Sequence, residues 1–160
     1  MTIELRFAIP ADIPTLVELG RGLHVDSRYG WMVYSATRAW QSLEGMIERK
    51  DCCVIVAVDA STGATGGEPV GFLIGTASEF AFANDFVANL EFFYLSSAQR
   101  RGVSAMKMLT AFRRWATNRG VAEIVLSNRY GANNPYLTRL FTKLGMPVVG
   151  GVHATWTRLR

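Results

Sequence analysis

Gln99-Arg100-Arg101-Gly102-Val103-Ser104-Ala105 joins a strand-like apolar run at 90–95 to the start of a long amphipathic helix. A glycine-bearing turn entering a helix leaves several backbone N–H groups without intrahelical partners, at the positive end of the helix dipole. Outward-pointing donors and dipole together favour a phosphate. Two arginines stand beside this turn, so the expected ligand carries a pyrophosphate. Alone, a short glycine motif fits equally well an ordinary helix start with solvated arginines. Its surroundings decide.

The helix that follows is the clearest element. Ala105, Met108, Leu109, Phe112, Trp115 and Ala116 fall on one arc at 100° per residue, and Lys107, Thr110, Arg113, Arg114, Thr117 and Asn118 fall on the opposite one. Gly120 closes it in the C′ position. Upstream, 3–8 reads as a first strand. A helix over 12–23 follows, capped by Asp12, with Pro14 in its first turn and an apolar stripe of Ile13, Leu16 and Val17. The segment 24–34 has no period and gathers His24, Asp26, Arg28, Tyr29, Trp31 and Tyr34. A second helix, 36–49, starts at a Ser35 cap and puts Trp40, Leu43 and Ile47 on one face. Then come a strand at 52–58, a Gly/Ser/Thr-rich hairpin loop at 59–69, a strand at 70–77, a turn at 80–85 and a long strand at 87–95. Downstream, 123–128 is a strand. Asn133-Asn134-Pro135 opens a helix with Leu137, Leu140, Phe141 and Leu144 at i, i+3, i+4, i+7, stopped by Gly145, and 148–159 supplies one or two closing strands. The expected architecture is one α/β (α+β) domain over 1–160, with a mixed, mostly antiparallel sheet of six to seven strands and about four helices.

Composition agrees with a globular domain. The 160 residues are 49% hydrophobic and 19% charged, enough to bury a core without disulfides or metal. The N-terminus lacks the basic and apolar regions of a signal peptide, and no apolar run approaches the roughly 18 residues of a membrane span. The only cysteines, Cys52 and Cys53, match neither C-x-x-C nor a metal-ligand spacing and read as buried thiols in a reducing cytoplasm. His24 and His153 have no ligand partner at sensible spacing, so no metal is expected. The net charge of +4 suits an anionic ligand. The basic residues are scattered, which argues against nucleic acid as a partner.

This succession, with the glycine turn between the fourth strand and the third helix, resembles the GCN5-related N-acetyltransferase (GNAT) family, and phage and bacterial members look most similar. The family's acyl-CoA signature, Q/R-x-x-G-x-G/A, is matched by Gln99-Arg100-Arg101-Gly102-Val103-Ser104, with serine at the last position. A second family segment, N-x-x-x-x-x-L-Y-x-K-x-G-F, is echoed from Asn134 through Leu140 and Phe141-Thr142-Lys143-Leu144-Gly145-Met146. The resemblance covers nearly the whole chain.

It implies an acetyl-CoA-dependent transfer to an amine, by direct attack in a ternary complex. The amides of Gln99, Arg100, Arg101, Gly102, Val103, Ser104 and Ala105 would cradle the CoA pyrophosphate, with Gly102 allowing close backbone approach and Arg100 or Arg101 adding charge. The pantetheine arm would pair with main chain near Tyr94 and Leu95, in a slot where the fourth and fifth strands splay, with Asn134 across from it. Glu91 stands at the position of the general base in many members. The same residue also fits a glutamate on a solvated strand face, or one held by Arg101. Strand alternation sets Asn89, Glu91 and Phe93 opposite Leu90, Phe92 and Tyr94.

Phe141 replaces the family tyrosine that protonates the departing thiolate. A thiol of pKa ~8.5 leaves tolerably without an acid, and Tyr136, Tyr130 and Tyr94 are the hydroxyls at hand, Tyr136 being preferred. Tyr29, Trp31 and Tyr34 lie where relatives build the acceptor pocket, though aromatics in a loop also simply tuck onto a core. The acceptor, a small-molecule or peptide amine, is open, and a homodimer fits the family. Three rival readings stand beside this one: a CoA-binding or partner-binding module that lost its chemistry (favoured by Phe141 and Ser104), an enzyme acting on nucleobase amines, and a covalent acetyl-cysteine route through Cys52 or Cys53.

Overall fold

The computed structural model describes residues 2–62, 66–100, 103–127, 135–151, 154–155 and 157. Five strands form one sheet in the order β1-β2-β3-β4-β5: β1 Ile3–Phe7, β2 Cys52–Asp59, β3 Glu68–Glu79, β4 Phe86–Leu95 and β5 Glu123–Leu126. The first four run antiparallel, and β5 joins β4 in parallel. Four helices cover the sheet: α1 Ile13–Asp26, α2 Ala36–Glu48, α3 Ser104–Asn118 and α4 Pro135–Lys143.

The expected sixth and seventh strands are absent among the described residues of 148–159. Val148 and Val149 are instead 76% and 86% exposed. Gly150 and Gly151 follow them directly, and glycine weakens a strand that has no side chain to pack. Helix α1 runs three residues beyond its expected end, to Asp26, and takes in His24. Asp12 stands at the N-cap position of α1, as expected, but its side chain makes no capping bond there: its carboxylate accepts from the Ile9 amide at 2.8 Å and from Arg6 Nη1 and Nη2 at 2.7 and 2.9 Å, so it ties β1 to the short turn Pro10–Asp12. Burial opposes its charge, but the Arg6 bonds, the Ile9 amide and the Arg6 charge prevail and hold this carboxyl below its ordinary value.

Strand β2 is buried along its whole length and alternates cleanly. Cys53, Ile55 and Ala57 enter the core under α3 and α4, while Cys52, Val54, Val56 and Val58 enter the core under α1 and α2. A sheet covered on both faces reads as a continuous apolar run, which is what 52–58 shows.

Strand β4 breaks that alternation. Ile74 of β3 faces Phe92, and Gly75 faces Leu90, so Glu91 is an extra residue in β4, a β-bulge. The phase flips there. Ala88 and Leu90 lie on the α3/α4 side, Phe92 and Tyr94 on the α1/α2 side, and Phe93 and Leu95 return to the α3/α4 side. The expected grouping of Leu90 with Phe92 and Tyr94 is therefore corrected: a period of exactly two cannot survive an inserted residue.

Gly75, at the bulge, lets α3 approach. A Cβ there would meet Phe112 Cε2 at 2.2 Å, and Phe112 is 1% exposed. Gly75→Ala is expected to destabilise the fold by about 1–3 kcal/mol through overpacking. Gly45, inside α2, would place a Cβ in open space, and Gly45→Ala is expected to stabilise by about 0.5–1 kcal/mol. Thermal melts of the two variants should shift in opposite directions; a Gly75→Ala melt matching the parent would contradict this packing.

Candidate active site

The parallel pairing of β4 with β5 runs from Val87 opposite Glu123 to Leu90 opposite Leu126, and stops. It stops at the bulge. From Glu91 to Leu95, β4 has β3 on one edge and no strand on the other among the described residues. Backbone donors and acceptors on such an edge need partners from elsewhere.

A cavity of about 230 Å³ occupies this gap. It is lined from both faces of the sheet: Phe93, Leu95, Ala105, Leu137 and Phe141 from the α3/α4 side, Leu23, Asp26, Ser27 and Tyr94 from the α1 side, with Leu90, Glu91, Arg100, Ser127 and Tyr136 completing it. The opening thus crosses the sheet plane.

Glu91 is half-buried at the edge of this slot, and its Oε1 accepts a hydrogen bond from Thr76 Oγ1 at 2.9 Å. Thr76 follows Phe72 and Ile74 on the α1/α2 side of β3, so the bulge aims the carboxylate toward that side. Thr76 was not singled out from sequence; only the cross-strand register reveals it. Tyr136, in the first turn of α4, lines the same slot and is 46% exposed. Phe141 is buried, belongs to the core under α3 and α4, and closes the slot with a ring that bears no hydroxyl.

Of the glycine turn, Arg101 and Gly102 lie outside the described residues, as do Asn134 and Tyr130. The flanks are defined. Gln99 is buried and its amide donates to Ser96 O at 2.8 Å. Val103 is exposed, Ser104 begins α3 with its side chain buried, and Ala105 lines the slot. Small residues at 104 and 105 let this helix start sit against the open edge of β4.

Arg100 turns inward. Its Nε donates to Leu95 O at 2.9 Å, its Nη2 pairs with Asp26 at 2.5 Å, and its guanidinium lies 5.2 Å from the centre of the Tyr94 ring. It thereby clamps the end of α1 to the end of β4. This arginine is occupied, and the Leu95 carbonyl expected to serve a ligand already has a donor. The Tyr94 ring lies against α1, where a Cβ on Gly22 would meet its hydroxyl at 2.4 Å.

On the α1/α2 side a second cavity, of about 420 Å³, abuts the slot, and Leu23 and Ser27 line both. Of the aromatic residues expected there, Tyr29 and Tyr34 contribute to its wall, and Trp31 lies outside that lining. Tyr34 is fixed: its hydroxyl donates to Val17 O at 2.7 Å, and Arg21 stacks 4.7 Å from its ring centre. Burial pushes its phenol above the ordinary value despite that cation. Ser27, Gly30 and Met32 make successive tight turns, with the Met32 carbonyl held 2.8 Å from His24 Nε2.

Among the described residues no helix is long and apolar enough to cross a membrane, and no group of three or more His, Cys, Asp and Glu is placed to hold a metal. No protein-family model matches the chain, and no curated protein matches it in sequence. Solved structures match along its full length. A transcriptional regulator from Bacillus halodurans C-125 superposes with a TM-score of 0.78 at 19% identity, over 97% of this chain and 100% of that one. The glucosamine-6-phosphate N-acetyltransferase of Arabidopsis thaliana gives 0.75 at 12%, over 99% and 100%. AAC(6')-Iy, solved with the bisubstrate analogue CoA-S-monomethyl-acetylneamine, gives 0.71 at 18%, over 99% and 100%. With a meander of four antiparallel strands, a parallel fifth and a gap between the last two, the chain has the fold of the GCN5-related N-acetyltransferases.

Proposed function

We propose that this protein is an acetyl-CoA-dependent N-acetyltransferase in which an amine attacks the thioester directly. The observation that carries the reading is the open edge of β4 at residues 91–95, beside a slot that crosses the sheet and ends at the first turn of α3. An acyl-CoA fits such a slot on chemical grounds. Its pantetheine arm is a chain of amides, which can complete a strand edge, and its pyrophosphate suits a helix start. Main chain of 91–95 would hold the arm, the amides of 99–105 the pyrophosphate, and Arg101 the charge-assisted contact, since Arg100 is committed to Asp26 and Leu95. Acetyl-CoA supplies the acetyl group as an activated thioester.

The chain's own part is to hold the amine, take its proton and favour charge on the carbonyl oxygen. Glu91 is the base: it sits at the gap, a carboxylate held in place by the bond its Oε1 accepts from Thr76. A main-chain N–H of the open edge would serve the carbonyl oxygen. Tyr136, on the slot wall, is the hydroxyl assigned to the departing sulfur in place of Phe141. Direct attack is favoured over a cysteine route because burial pushes the thiols of Cys52 and Cys53 up to about 11 and about 12, so neither is a thiolate near neutral pH.

Glu91→Gln is expected to lower kcat by about 10²–10⁴-fold with little change in the affinity for CoA measured by calorimetry. The Cys52→Ser and Cys53→Ser variants are expected to keep activity wherever they fold, and the parent thiols to react with a disulfide reagent only on unfolding. An inactive, well-folded Cys52→Ser variant, or full activity in Glu91→Gln, would overturn this mechanism.

A further inference from the structure

We propose that the acceptor is a small amino-carboxylate: a primary amine at one end of an apolar or aromatic body, with a single negative charge at the other. It occupies the cavity on the α1/α2 side, its anion at Arg38 and its amine toward Glu91. The proposal rests on the acetyltransferase reading and specifies its second substrate.

The cavity's size comes first. At about 420 Å³ it suits a small molecule. Its body is largely apolar, with Leu16, Leu43, Met46, Phe72, Ile74 and Phe92 in the wall. Its charge is one-sided. No Asp or Glu lines it among the described residues, and the basic side chains in its wall are Arg38 and His24, whose Nε2 is held 2.8 Å from the Met32 carbonyl. Arg6, Arg21, Arg49 and Arg100 each pair with a carboxylate of the chain. Arg38 is exposed and has no ion pair or side-chain hydrogen bond among the described residues. An unpaired arginine in a wall without carboxylates selects for an anion.

Position supplies the other half. Arg38 lines this cavity and not the slot, whereas Glu91 lines the slot and not this cavity. The apolar wall lies between the two charges, so the ligand's own charges must stand apart. Phe92, next to Glu91, forms part of the wall, and Leu23 and Ser27 line both spaces, so an amine leaving the apolar cavity enters the slot at the base. A polyamine or aminoglycoside would set several positive charges against Arg38 with no carboxylate in the wall to receive them.

The test is calorimetry with defined probes, on the protein with and without CoA. The probes are 4-(aminomethyl)benzoate against benzylamine, 6-aminohexanoate against hexylamine, and spermidine. The expected result is at least about tenfold tighter binding of each carboxylate than of its uncharged partner, with Arg38→Gln bringing the ratio near one and Arg38→Glu reversing it in favour of spermidine. Circular dichroism reports whether these variants fold. Equal binding within each pair, a preference that survives Arg38→Gln, tighter binding of spermidine to the parent, or no binding of any probe at millimolar concentration overturns the proposal. Because the ratio is also read without CoA, a failure of CoA to bind overturns the acetyltransferase reading separately.

Discussion

One extra residue in β4 organises everything else. An uninterrupted strand would carry Glu91 on one regular face, in step with its neighbours. Glu91 instead stands as the unmatched residue between the pairs Ile74–Phe92 and Gly75–Leu90. A bulge bends a strand and increases its local twist, and the described pairing of β5 with β4 ends at Leu90 opposite Leu126, one residue before it. The aim of the carboxylate follows from that inserted residue, and the open main-chain edge begins at it. Gly75 makes it tolerable on the other side, because Phe112 of α3 fills the space a side chain would need.

The bulge also explains what was legible in the sequence. Periodic elements were. The arc from Ala105 to Ala116, the stripe of Leu137, Leu140 and Phe141, and the buried run of β2 are all where their spacing puts them. Glu91 was legible as a carboxylate in an apolar run, whereas a slot near Tyr94 and Leu95 was only what the family resemblance implied. The faces of β4 were not, because residue types do not announce an inserted residue. Thr76 was invisible for a related reason: it reaches Glu91 only through cross-strand register. The closing strands expected over 148–159 do not form among the described residues there, since a strand needs a partner as well as β-branched residues.

Arg100 shows how a binding motif divides its labour. Two adjacent arginines beside a glycine look equivalent in one dimension. In the fold, one spans from Leu95 O to Asp26 and stacks on Tyr94, securing α1 to the end of the open strand. The slot wall is therefore built partly from the motif that adjoins it. This coupling places the two cavities side by side, with Leu23 and Ser27 common to both. Neighbours of the same fold include a transcriptional regulator as well as acetyltransferases, so the fold alone does not choose a function. The gap at Glu91 and the cavity behind it carry the functional argument.

The most direct measurement is amide hydrogen exchange over β4, with and without acetyl-CoA. If the open edge of residues 91–95 receives the pantetheine arm, amides in that segment gain protection on addition of the ligand, while the sheet-paired amides of β2 do not change. Unaltered exchange across 91–95 at saturating acetyl-CoA would contradict the account.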